Sequence, residues 1–173
     1  VILCGHSRGG VVISSVAERA PECVSRLIYI TAFMLPHGQS LRAFQMEAPN
    51  PKFGAAMRPA ADGSAVRFEP TAAAELLYHR CTEAIQRDAA ARLVPEPAQP
   101  LVTPLSLGEI RFGRIARHYI ECSDDRALLL VRQRAMQTRL PCSSVATLDS
   151  DHSPFLSCPE ALVEALVQMQ GGR

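Results

Sequence analysis

The sequence has 173 residues, 47% hydrophobic and 20% charged, with a formal net charge of +1. That length and balance read as one folded domain and exclude a disordered chain. The near-neutral charge gives no electrostatic pull toward nucleic acid or a membrane surface, and no apolar run approaches the ~20 residues that span a bilayer.

The chain opens on Val1 inside an apolar run, Val1 to Cys4, which ends at Gly5 and reads as a buried parallel strand. From about Arg8 to Ala20, Val11, Val12, Ile13, Val16 and Ala17 supply an apolar helical face, and Pro21 stops the helix. Arg26 to Thr31 is a second buried strand. From Leu35 to about Pro104 the texture changes, with frequent proline and no long apolar run. One helix is expected near Ala72 to Ala91, bent around Cys81 and Thr82, and Pro95 to Pro104 is expected as extended linker. This stretch reads as an insertion that covers something rather than a second core. Alternation then resumes with a strand over Ala116–Glu121, a helix over Arg126–Thr138 that offers Leu128, Leu129, Val131 and Met136 for burial, a strand over Ser144–Leu148 and a helix over Pro159–Met169. The order β-α-β, insertion, β-α-β-α predicts a parallel α/β sheet, because parallel neighbours need crossover connections.

The six cysteines, Cys4, Cys23, Cys81, Cys122, Cys142 and Cys158, form no C-x-x-C pair and no Cys/His zinc grouping. They are expected as reduced, mostly packed thiols in a cytoplasmic protein, with no metal site.

Gly5-His6-Ser7-Arg8-Gly9 fits G-x-S-x-G, followed by Gly10, between a strand and a helix. Such a turn lifts the Ser7 hydroxyl above the strand end, with glycines two residues either side removing colliding Cβ atoms. The Arg8 amide at the helix start is placed to stabilise an oxyanion. The bland alternative is a glycine-rich turn with a solvated serine. Serine needs a base, and the base an orienting carboxylate. Asp124 and Asp125 follow the third strand, and His152 follows the fourth, all at the C-terminal sheet edge where α/β ligand sites gather. Asp125 is preferred to Asp124. Asp149 and Asp151 are rivals, too near His152 in sequence to reach around its ring easily. His6 is expected to point away on another face, and His37, His79 and His118 to be solvated or packed.

These residues resemble the α/β-hydrolase superfamily, and within it the branch of plant methylesterases, hydroxynitrile lyases and bacterial esterases. The resemblance is carried by GHSRGGVVI (5–13), LIYITAFML (27–35), YIECSDD (119–125) and DHSPFLSCP (151–159). It implies Ser7 as nucleophile, Asp125 as triad acid and His152 as base. It implies a helical cap over about 35–104 on a core of 1–34 and 105–173, with Phe33, Leu77 and Phe155 as apolar pocket walls. Lyase members carry a lysine directly after the catalytic histidine. Here that residue is Ser153, and the only lysine, Lys52, is distant. Dehalogenase relatives use an aspartate nucleophile, which Ser7 argues against. The family sheet starts with about four strands before the nucleophile strand, and a loop after an early strand gives the second oxyanion amide. Neither is present.

The expectation is therefore the C-terminal portion of an α/β-hydrolase fold, about four parallel strands with flanking helices and a helical cap insertion, within a domain of roughly 240–270 residues. Val1 is expected as a break point, and Val1 to Cys4 as an exposed apolar edge. The expected activity is hydrolysis of a small aromatic or alkyl carboxylic ester through an acyl-enzyme, with no cofactor and no nucleic-acid or membrane partner. The alternatives are a non-catalytic small-ligand binder and an inactive fragment.

Overall fold

The computed structural model describes residues 1–171. Strand β1 (Ile2–His6) leads into helix α1 (Gly9–Arg19), which ends at Ala20 before a short 3-10 turn at Pro21–Cys23. Strand β2 (Arg26–Ile30) follows. Between it and the next strand of the main sheet lie helices α2 (Leu41–Glu47) and α3 (Pro51–Ala56), strands β3 (Met57–Pro59) and β4 (Ala65–Phe68), helices α4 (Pro70–Leu77) and α5 (Glu83–Ala91), strand β5 (Glu96–Pro97) and the one-turn helix α6 (Gln99–Val102). The chain then runs through β6 (Ala116–Cys122), α7 (Leu130–Arg139), β7 (Ser144–Leu148), the one-turn α8 (Pro154–Ser157) and α9 (Pro159–Gly171).

The main sheet has the order β1-β2-β6-β7, all parallel. Its register sets His6 beside Ile30 and Cys122 beside Leu148, so every strand ends at one edge. Strand alternation sends β2 side chains to two layers. Leu27 and Tyr29 join one core with Ile13 and Ala17 of α1 and Met136 of α7, while Ile28 and Ile30 join another with Leu162, Ala165 and Met169 of α9. Tyr29 and Tyr119 stack 6.3 Å apart at 8° within the first. The Tyr119 hydroxyl donates to the Ala32 carbonyl at 2.8 Å and accepts the Ala32 N–H at 3.1 Å, which fixes the turn leaving β2.

Several expectations need correction. Val1 to Cys4 is not a buried strand. Val1 and Cys4 are exposed, because β1 has a strand neighbour on one side only among the described residues. Val12 and Val16 of α1 are exposed, and the helix buries Gly10, Ile13, Ser14 and Ala17 instead. Leu129 and Val131 are also exposed, since α7 starts at Leu130, later than its apolar pattern suggests. All six cysteines are free, but only Cys122 is buried, and Cys4 and Cys23 are exposed. No helix among the described residues is long and apolar enough to cross a membrane.

The expected bent helix over 72–91 is two helices. Tyr78 leaves α4, and the Thr82 hydroxyl caps α5 by accepting the Ile85 N–H. Pro95–Pro104 is not wholly extended. It holds α6, with Pro100 in the first turn, where its missing N–H would have had no helical partner. The further helices α2 and α3 begin at side-chain caps, Ser40 to the Ala43 N–H and Asn50 to the Phe53 N–H. A separate antiparallel sheet of β3, β4 and β5 braces this segment.

Candidate active site

Ser7 follows β1 directly in a turn tight enough to force φ to +52°, a region costly for a residue with a side chain. Its N–H donates to the Ile30 carbonyl at 3.3 Å, and its carbonyl accepts the Phe33 N–H at 2.9 Å and the Gly10 N–H at 3.2 Å. Two glycines make the turn possible. A Cβ at Gly5 would lie 2.7 Å from the Gly9 carbonyl oxygen, and one at Gly10 would overlap the Phe33 carbonyl oxygen. A Cβ at Gly9 meets nothing within 4 Å, so the expected role of that motif glycine falls to Gly10.

His152 follows β7 and is buried. Its Nδ1 lies 2.6 Å from Asp125 Oδ2 and its Nε2 2.9 Å from Ser7 Oγ. Asp125, after β6, is buried and saturated with donors. Oδ1 accepts the N–H groups of Ala127 and Leu128, each at 2.8 Å, and Oδ2 also accepts the Thr31 hydroxyl at 2.5 Å. Burial pushes this carboxyl up, but the adjacent His152 ring and the bonds from His152, Thr31 and Leu128 outweigh it and hold the group below the ordinary carboxylate range. An ionised Asp125 accepts the Nδ1 proton, so neutral His152 turns the Nε2 lone pair toward the Ser7 hydroxyl.

The rival groups are otherwise engaged. Asp124 Oδ2 pairs with His79 Nε2 at 3.0 Å. Asp149 is paired with Arg80. Asp151 accepts the N–H groups of Arg80 and Ser153, each at 3.0 Å, and so braces the loop carrying His152. His118 bonds Ser144 at 2.8 Å inside the fold, and His37 accepts the Leu107 N–H at 3.1 Å.

His6 does not point away from the site. Its Nε2–H donates to the His152 carbonyl at 2.6 Å, and its ring centroid lies 4.7 Å from that of His152 and 5.0 Å from that of Phe155. Burial, then the neighbouring His152, lowers its pKa to about 3. It is a neutral prop under the His152 loop. Thr31 is the other residue the sequence reading missed. It is fully buried at φ +36° and follows β2 at the same sheet edge as Ser7. That placement was the available signal.

Ser7, Arg8, His152, Phe33, Leu77 and Phe155 line one cavity of about 340 Å³. Its roof comes from the segment between β2 and β6, including Leu41, Phe53, Met57 and Leu101. Arg8, at the N-cap of α1, lines this space, and its N–H has no backbone acceptor among the described residues. Its side chain reaches Glu96 of β5 at 3.2 Å. No group of three or more His, Cys, Asp or Glu side chains among the described residues is arranged to hold a metal ion.

A model of the alpha/beta hydrolase family matches residues 1–165. The chain belongs to this family. It is 32% identical to methylesterase 17 of Arabidopsis thaliana over 180 residues, covering 97% of this chain and 65% of that protein. It is also 32% identical to a pyrethroid hydrolase of Sphingobium wenxiniae over 178 residues, covering 95% of this chain and 61% of that protein. The crystal structure of a pyrethroid hydrolase from Sphingobium faniae superimposes with a TM-score of 0.87 at 29% identity, over 97% of this chain and 69% of that one. The chain spans from 40% to 68% of the length of eight curated relatives it matches, these two included.

Proposed function

We propose that this chain carries the nucleophile, base and acid of a serine hydrolase that cleaves small carboxylic esters. The observation that carries the reading is the continuous relay Ser7 Oγ–His152 Nε2 and His152 Nδ1–Asp125 Oδ2, at 2.9 and 2.6 Å. The methylesterase and pyrethroid hydrolase relatives support ester hydrolysis as the reaction.

His152 Nε2 takes the Ser7 proton as Oγ attacks the ester carbonyl carbon. The carbonyl oxygen gains the negative charge and accepts the Arg8 N–H at the positive end of α1. Asp125 stays ionised and stabilises the imidazolium. Collapse of the tetrahedral species breaks the ester C–O bond, and His152 gives its proton to the departing alkoxide. Water, deprotonated by His152, then releases the acid and restores Ser7. These steps call on no metal or organic cofactor. Ser153 follows His152 and Lys52 is exposed on α3, outside the cavity lining, so neither matches the lysine that the resembled lyases carry directly after the catalytic histidine. Within this reading the residues over about 35–104 act as a cap, and Phe33, Leu77 and Phe155 as walls that select an apolar substrate.

A fluorophosphonate probe tests the nucleophile. The expected result is a single adduct on Ser7, absent in Ser7→Ala, together with turnover of phenyl acetate. An unlabelled Ser7 in the folded protein overturns the reading.

A further inference from the structure

A second cavity, of about 430 Å³, lies beside the first. Phe33, Gln45, Phe53, Met57 and Leu101 line both, so these residues separate the two spaces. The far walls of the second space come from both regions of the molecule, with Met46, Ala48 and Gly54 on one side and Leu128 and Leu129 on the other. It is mostly apolar, and two of its four polar side chains, those of Asn50 and Arg132, are engaged within the protein. Asn50 Nδ2 donates to the Arg126 and Ala127 carbonyls. Arg132 donates to the Phe44 carbonyl at 2.5 Å, stacks on the Phe44 ring 3.9 Å away and lies 3.7 Å from Glu47. The other two are Gln45 and the solvent-exposed Arg42, and against the remaining apolar lining a hydrocarbon or aryl group would lose only water.

We propose that the binding site is two-lobed and takes an elongated ester, with its carbonyl at Ser7 and an uncharged alkyl or aryl arm in the second cavity. The proposal rests on the ester-hydrolase reading and adds a substrate class to it. The partition includes Met57, an unbranched side chain able to shift without disturbing backbone. Leu128 lies in the second cavity's wall and its N–H donates to Asp125, so an occupant there would also press on the loop that carries the acid.

Gly54 offers a way to fill the lobe, because a Cβ there meets nothing within 4 Å and α3 tolerates a helix former. Ala48, exposed and also in the lining, is a second position. With methyl-labelled methionine, hexyl phenyl ether is expected to shift the Met46 and Met57 signals, and anisole to leave Met46 in place. Gly54→Leu and Ala48→Leu should each erase the Met46 response. In kinetics the same variants should lower kcat/KM for phenyl octanoate or octyl benzoate by roughly tenfold or more, while phenyl acetate is unchanged. An unmoved Met46 with the long ether overturns the proposal, as does an equal effect of the filling variants on long and short esters. If the native protein turns over no ester, the hydrolase reading fails, and the ether shifts alone decide whether the lobe binds apolar arms.

Discussion

The edge of the main sheet and the segment between β2 and β6 hold their residues in different ways. At the sheet edge Asp125 and His152 are buried and Ser7 is partly buried, with Asp125 accepting four donors and Ser7 held through both its N–H and its carbonyl. The segment over it is built from short capped helices and a small sheet, with much of its surface exposed. It meets the core through Leu41 and Phe44, which join the apolar cluster of Phe33 and Met34, and through a few polar latches. His79 pairs with Asp124 and Arg80 with Asp149, each next to or near a relay residue in sequence, and Asn50 reaches the carbonyls after Asp125. The groups of the proposed relay lie after strand ends, and most of the remaining cavity lining lies on the short elements above them.

This contrast can be broken or sharpened by substitution. The largest effect is expected for Asp125→Asn, which leaves the backbone bonds in place but favours the wrong imidazole tautomer. Fluorophosphonate labelling of Ser7 should slow by roughly 10³–10⁴-fold. Gly10→Ala comes next. Its methyl would overlap the Phe33 carbonyl oxygen, and a loss of ~1–3 kcal/mol is expected in urea unfolding, whereas Gly9→Ala should stay within ~0.5 kcal/mol of the parent. Matching losses in the two would refute the reading of the turn.

Acid titration should show His6. Its folded pKa of about 3 lies below the ordinary 6.5, so the unfolded chain takes up the proton first as pH falls. Its contribution is complete above pH 6.5 and is lost between 6.5 and 3, with a slope of up to ~1.4 kcal/mol per pH unit. His6→Gln should flatten that part of the stability profile, and parallel profiles would rule the prop out. Asp125 has the same sign at lower pH, its contribution disappearing as pH drops through a value below 3.8. Smaller still, Thr31→Val should lower kcat by about tenfold through the lost hydroxyl bond to Asp125, with Thr31→Ser restoring it. Smallest is Arg80→Ala, which removes an exposed ion pair and should leave the unfolding midpoint in place.

The sequence was most legible where chemistry and local geometry coincide. Gly5-His6-Ser7-Arg8-Gly9 between a strand and a helix announced its turn, and strand spacing brought Asp125 and His152 to the same edge. Asp124 and Asp125 were harder to separate. Their difference is a long-range one, since Asp124 meets His79 and Asp125 meets Thr31, across gaps of 45 and 94 residues. His6 and Thr31 were missed for the same reason, as their meaning lies in partners remote in sequence. The fold of residues 35–104 was the least legible part. Its helices are too short for periodicity to register, and their side-chain caps are single residues, Ser40, Asn50, Glu69 and Thr82. The cavities enclosed there depend on packing between segments that carry no motif.

The contact between Gly10 and Phe33 has a consequence for how such a site can change. The Ser7 carbonyl holds the Phe33 N–H, and the Phe33 carbonyl leaves no room for a methyl on Gly10, so the proposed nucleophile and the proposed pocket wall are one mechanical body. Reshaping the pocket at Phe33 by moving its backbone would carry Ser7 out of line with His152. New specificities are therefore more accessible through Leu41, Phe53, Met57 or Gly54 than through the residue closest to the chemistry, and selection on this scaffold can vary its roof while its floor stays fixed.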